Sequence, residues 1–200
     1  MKCLLLKRFI YTIILCAFSY SSFADDFYWV GGTGKWSDFQ NHWATASGGN
    51  NFYNRIPTFE DNVFFDENSF NADGEEVQID ILNALVHDID FTGVNFQVTI
   101  REVDAGDGLD VYGSFKFNEN VTSEISNLTF LGNGDEMIEG KEKYLANKIS
   151  LNGIGIYTIY TGFKTGYILV ISSGNIKLHT SKIVTPYLLQ EKESQLFAES

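Results

Sequence analysis

Cysteine is nearly absent. The chain has two, Cys3 and Cys16, both well before Asp25. From Asp25 onward there is none, which excludes a disulfide framework and a cysteine-ligated metal centre there. Two prolines in 200 residues exclude a proline-rich linker or a collagen-like chain. Positive charge is also scarce, with 14 lysines and arginines against 26 aspartates and glutamates, net −12. Lys2, Lys7 and Arg8 are the only charged residues before Asp25, so the rest of the chain carries −15. Such a surface repels phosphate backbones and anionic headgroups, which argues against nucleic-acid and peripheral membrane partners. Only Arg55 and Arg101 remain beyond Asp25, and neither has an acidic partner that the repeat register identifies. The three histidines, His42, His87 and His179, lack metal-ligand spacing, and no Gly-x-Ser-x-Gly elbow is present. The expectation is a protein without catalytic activity and without a zinc site.

Hydrophobic residues nevertheless make up 44% of the chain and aromatics 15%, enough to bury a core. Positions 1–24 read as a secretory signal peptide. A charged start is followed by the apolar stretch Phe9–Phe18, and Ser22-Phe23-Ala24 places small residues where a signal peptidase reads. The apolar stretch is well short of the ~20 residues a spanning helix needs. Cys16 is preceded by Leu15, where a lipobox requires a small residue. The expected location is therefore secreted or cell-surface, or periplasmic if a missing sorting domain is required for the final step.

Beyond residue 84 the texture is strand, turn, strand, turn, as in Phe96-Gln97-Val98-Thr99-Ile100. Five segments align on a closing small residue: Ile89–Gly93, Leu109–Gly113, Leu128–Gly132, Ile149–Gly153 and Leu169–Ser173. Their closing positions are spaced by 20, 19, 21 and 20. Apolar residues stand first and third in every copy. This period suits one turn of a β-solenoid, in which equivalent residues stack at ~4.8 Å along the axis. One ladder would be Ile89, Leu109, Leu128, Ile149 and Leu169, and a second Phe91, Val111, Phe130, Leu151 and Ile171. The closing glycine is expected to supply a corner conformation that a Cβ would obstruct. The fold class expected is all-β, a short right-handed β-solenoid (β-helix) of about five coils over 85–182. It is preceded by an aromatic-rich cap over 25–84 and followed by an irregular or weakly helical tail over 183–200. A β-sandwich with evenly spaced strands is the alternative.

The most specific run opens the chain after the leader. Tyr28-Trp29-Val30-Gly31-Gly32-Thr33-Gly34-Lys35-Trp36-Ser37-Asp38 leads to His42-Trp43, and later Asp61-Asn62-Val63-Phe64-Phe65-Asp66-Glu67-Asn68-Ser69-Phe70. With His87–Gly93 and Val111–Phe115, this resembles the N-terminal module of large secreted surface proteins of Bacteroidetes, over roughly positions 27–180. The resemblance implies a β-helix-like exoprotein, at the cell surface or secreted, exported by the type IX route. Members commonly continue into more coils and a sorting domain; this chain, ending at Ser200, reads as a possible truncated copy.

Trp29, Trp36 and Trp43, spaced by seven, could form a sugar-stacking platform or close the open end of a solenoid. The Gly31–Lys35 run lacks the first glycine and the hydroxyl residue of a phosphate loop. No cofactor is expected, with calcium as the exception considered. Asp90, Asp107 and Asp110 would be its ligands if Asp90 and Asp110 face each other on neighbouring rungs, against a reading as solvated turns. Asp61, Asp66, Glu67 and Asp73 form a second acidic group with the same two readings. The expected function is a structural or adhesin-like surface module whose partners are surface glycans or other exoproteins. The alternative is a carbohydrate-binding module or a polysaccharide-active enzyme.

Overall fold

The computed structural model describes residues 24–179, 182–191 and 195–198. The expected leader, with Cys3 and Cys16, lies outside these residues except for Ala24. Alternation along each strand decides which side chains turn inward. In Val98–Glu102 and Asn127–Phe130 buried and half-buried positions alternate with the period of two of a pleated chain. A lone strand of this kind cannot cover its apolar face. Parallel stacking of successive turns does so, and the molecule is a β-solenoid of about five turns.

Strands β1 (Asp26–Trp29), β4 (Asn62–Phe64), β7 (Ile89–Asp90), β10 (Phe115–Lys116), the start of β13 (Asp135–Leu151), the start of β14 (Ile156–Ile171), β15 (Asn175–Leu178) and β18 (Gln195–Ala198) pair in parallel and make one face. Strands β6 (Asn83–Val86), β9 (Gly108–Val111), β12 (Asn127–Phe130), the ends of β13 and β14, and β17 (Tyr187–Gln190) make another. The third face begins as β2 (Gly34–Lys35), β5 (Glu76–Ile79), β8 (Val98–Glu102) and β11 (Val121–Glu124). It continues into the middle of β13, where the Ser123 hydroxyl donates to the Leu145 carbonyl, and the middle of β14, which pairs with β16 (Ile183–Val184). β13 and β14 each cross all three faces in one bent strand. The register slips at Ile138/Glu139 and again through Ala146/Lys148, and Lys141 and Glu142 turn the corner at φ of 52° and 56°.

Leu109, Leu128, Ile149 and Leu169 stand in register one above the next, and so do Val111, Phe130, Leu151 and Ile171. All eight are buried. The first rung of each expected ladder needs correction. Ala84 and Val86 occupy those places, while Ile89 stacks between Val63 and Phe115 on the neighbouring face. Phe91 lies on that same side, its ring parallel to Phe65 at 4.5 Å and edge-on to Phe117 at 5.5 Å. The cause is turn length. The turn from Ala84 to Leu109 is longer than the later ones, from Leu109 to Leu128, Leu128 to Ile149 and Ile149 to Leu169. A frame of twenty carried backward therefore lands on the wrong face.

Two boundaries differ from expectation. β4 and β5 lie within 25–84 yet already pair with the coils, so the cap proper is the segment around β1, α1 (Phe39–His42) and β3 (Trp43–Ala44). The segment from Ile183 continues the coils as β16, β17 and β18, because its backbone pairs in parallel with Phe163–Lys164, Ile168–Ile171 and Asn175–Leu178. The strand-closing glycines also serve a different purpose from the one expected. Gly93, Gly113, Gly132 and Gly153 have no positive φ; at Gly153 a Cβ would run into the backbone of Gly132 on the preceding coil.

Candidate functional site

The aromatic residues of the opening run form the end cap. β3 pairs antiparallel to β1 and covers its free edge, with Trp29 opposite Trp43. Trp29, Trp36 and Trp43 are each 0% exposed. Trp43 meets Trp29 at 4.9 Å, Trp36 at 4.8 Å and Phe65 at 6.1 Å, all edge to face. The indole of Trp43 donates to the Trp36 carbonyl and that of Trp29 to the Gly32 carbonyl, both at 2.8 Å. Buried in this way, the three rings have no face left for a pyranose, and the sugar-platform reading at these residues is overturned. They seal the first rung.

Calcium ligation by Asp90, Asp107 and Asp110 fails on topology. Asp90 pairs in register with Phe64 and Lys116, whereas Asp110 pairs with Leu85 and Thr129 on a different face. Asp90 instead accepts from Thr92 and lies 3.3 Å from the Lys116 ammonium. Asp107 accepts from the Asp104 amide within its own turn. Among the described residues no group of three metal-ligating side chains converges.

The second acidic group also disperses. The Asp66 and Asp73 carboxylates accept backbone N–H bonds from Asn68 and Gln97. Both arginines do find acidic partners, which the repeat register did not identify. Arg101 Nε donates to Glu76 on the adjacent coil at 2.8 Å. Arg55 belongs to an ion cluster centred on Asp61, which is 1% exposed. Arg55 gives Asp61 two hydrogen bonds and reaches Asp25 at 2.6 Å, while the guanidinium lies 4.8 Å over the Phe27 ring. Burial pushes the Asp61 carboxyl up, but hydrogen bonds from Arg55, Thr58 and Asp25 outweigh it and hold the group below its ordinary range. A depressed folded-state value stabilises the fold above the unfolded value and is lost as pH falls through the folded one. Thermal melts from pH 6 downward should therefore show an acid loss below about pH 4 that is flatter in Asp61→Asn. The variant should also melt lower at pH 7. Equal curves at every pH would show that the cluster contributes nothing.

A cleft of about 710 Å³ runs along the corners of successive turns. Its lining comes from Phe59 before β4, Asn62 at the start of β4, His87 and Asp88 before β7, Tyr112 after β9, and Glu136 in β13. The coils place these residues together although a full turn of chain separates one group from the next. Phe59, 47% exposed, and Tyr112 present a ring pair 5.4 Å apart and tilted by 47°. Below them Asp88 accepts the Ser114 amide at 2.7 Å and lies 3.1 Å from His87 Nδ1. The Ser114 hydroxyl donates to Glu136 at 3.2 Å and accepts the Met137 amide at 3.1 Å. These bonds fix two carboxylates beside an aromatic wall. Sequence reasoning missed this site, although His87-Asp88 and Tyr112 lie inside the runs that carry the family resemblance.

Chemically, the cleft offers apolar ring surface together with fixed acceptors. Glu60, Asp88 and Glu136 make it anionic, with His87 as the one basic side chain in its lining. Among the described residues no helix is long and apolar enough to cross a membrane. Comparison with family models, with curated proteins and with solved structures gives no match to this chain.

Proposed function

We propose that the protein is an exported, adhesin-like surface module without catalytic activity, and that a saccharide is what it attaches to. The observation that carries this reading is the ring pair of exposed Phe59 and half-buried Tyr112 set beside hydrogen-bonded carboxylates in a 710 Å³ cleft. Sugar rings have flat apolar C–H faces, edged by hydroxyls that donate well to carboxylates. An aromatic wall with fixed acceptors complements both at once. The negative lining selects neutral or amino sugars and opposes uronates and sulfated chains. The solenoid supports the role by stacking the turns that carry the cleft through backbone bonds such as Tyr112 to Val86 and His87 to Asp61. The buried tryptophans supply the seal at one end and leave the ligand to the cleft.

The test is a glycan array probed with residues 25–200 and with a Phe59→Ala/Tyr112→Ala variant. Retained glycans should be neutral or amino sugars, and the double variant should bind at least about tenfold more weakly, the loss expected for stacking of about 1.5 kcal/mol. Oligosaccharides incubated with the protein should be recovered uncut. Binding to no glycan, or equal binding by the variant, would overturn the ligand assignment, and shortened products would overturn the non-catalytic reading.

A further inference from the structure

The Arg55 cluster is short of positive charge. Asp25 and Asp61 share a single guanidinium. The remaining donors to Asp61 are neutral: the Thr58 amide and hydroxyl on Oδ2, at 2.8 and 2.7 Å, and the backbone nitrogen of Asp25 on Oδ1 at 3.2 Å. That last atom is the one altered by removal of the leader. Hydrolysis by a signal peptidase adds water across the Ala24–Asp25 peptide bond. Ala24 keeps the oxygen as a carboxylate, and the Asp25 nitrogen takes up the protons. A peptide N–H with one donor becomes an α-ammonium group with three donors and a full positive charge.

The nitrogen is held in place by its own residue, independently of anything before it. The Asp25 carbonyl accepts the Asn62 amide at 2.9 Å, its carboxylate is on Arg55, and Asp26 pairs in register with Asn62. We infer that Asp61 is a receptor for the α-ammonium group that leader removal creates at Asp25. Maturation then completes a cluster of two cations and two carboxylates, and ties the first strand to the cap. This inference rests on reading residues 1–24 as a cleaved leader. The peptide N–H already meets an ionised acceptor, and the free amine adds a full positive charge opposite it, so the added attraction is specific to the free amine. The charged groups around the amine are the Asp61 and Asp25 carboxylates and the Arg55 guanidinium; Asp26 turns its carboxylate to the Asn62 side-chain amide, and the Tyr53 hydroxyl donates to the Asp26 carbonyl. Two carboxylates against one competing cation favour the protonated amine.

The experiment compares three forms of residues 25–200, the span that contains all the described strands: free amine at Asp25, the same chain Nα-acetylated, and a Gly-Ser extension. At pH 7 the free amine should melt about 3 °C above the other two. An amine titrating above its unfolded value stabilises below that value and stops doing so as pH rises through the folded one. The gap should therefore close by about pH 10, and in Asp61→Asn it should be absent at pH 7. NMR of the Asp25-labelled chain should place the α-amine about one unit or more above the ordinary 7.7–8.0. Equal melting of the free and acetylated forms, with an ordinary amine, would overturn the inference even if Asp61→Asn does not fold. Mass spectrometry of the exported protein separates this from the leader reading. A first residue other than Asp25 overturns that reading, while the recombinant comparison still reports on Asp61.

Discussion

Trp43→Ala is expected to lower the stability of the cap by about 4 kcal/mol, the scale for emptying a fully buried aromatic site. The ring is fully buried, touches Trp29, Trp36, Phe27 and Phe65 edge to face, and supplies the donor for the Trp36 carbonyl. Alanine would leave a cavity and an unpaired carbonyl. For a chain of this size the midpoint should fall by about 10 °C if the cap melts with the rest. Solenoids are held by neighbour contacts, so the loss can instead localise. Hydrogen exchange then rises in β1, β3 and β4 while β12 to β14 keep their protection. A change below about 1 kcal/mol, typical of a surface position, would mean that the rings are not packed as described.

Gly153→Ala should be comparably damaging for a different reason. A Cβ there would collide with the carbonyl oxygen and nitrogen of Gly132 and with the Tyr157 hydroxyl. Backbone atoms cannot swing aside as a side-chain end can. Tyr157 is itself fully buried, and its hydroxyl is tied to the Gly132 carbonyl at 3.3 Å. Burial pushes that phenol up to about 12, so it cannot leave by ionising at neutral pH. Coils β12, β13 and β14 must separate to admit the methyl, at about 3 kcal/mol or more. Gly74→Ala is the contrast. Nothing lies within 4 Å of its Cβ position, but φ is +85°, so only backbone strain of about 1–2 kcal/mol applies. If the two variants melt alike, contact between coils is not what requires glycine at Gly153. The next coil shows the same crowding relieved differently, since Ser173 stands at the equivalent place and donates to the Asn152 and Gly153 carbonyls.

Much of this architecture was readable residue by residue. Alternation in Asn127–Phe130 or Val98–Glu102 states which side chains go inward, because pleating has a period of two and needs no distant partner. Recurrence near twenty states that Leu109, Leu128, Ile149 and Leu169 stack, because turns of equal length keep equal phase. The acidic balance and the scarcity of cysteine are likewise properties of composition alone.

Other features depended on how the turns close. Ile89 and Phe91 carry the right local pattern yet belong to another face, since the turns around them are longer and phase is set by loop length rather than by the strand. The three tryptophans look the same in sequence whether they bind a sugar or seal a core; antiparallel pairing of β3 with β1 buries them. Phe59, His87, Tyr112 and Glu136 share no motif and meet only because successive corners stack. Asp25 and Asp61 lie 36 positions apart and meet because β1 and β4 pair in register. Local alternation encodes inside and outside, whereas coil closure, a long-range property, chooses which outward residues become neighbours.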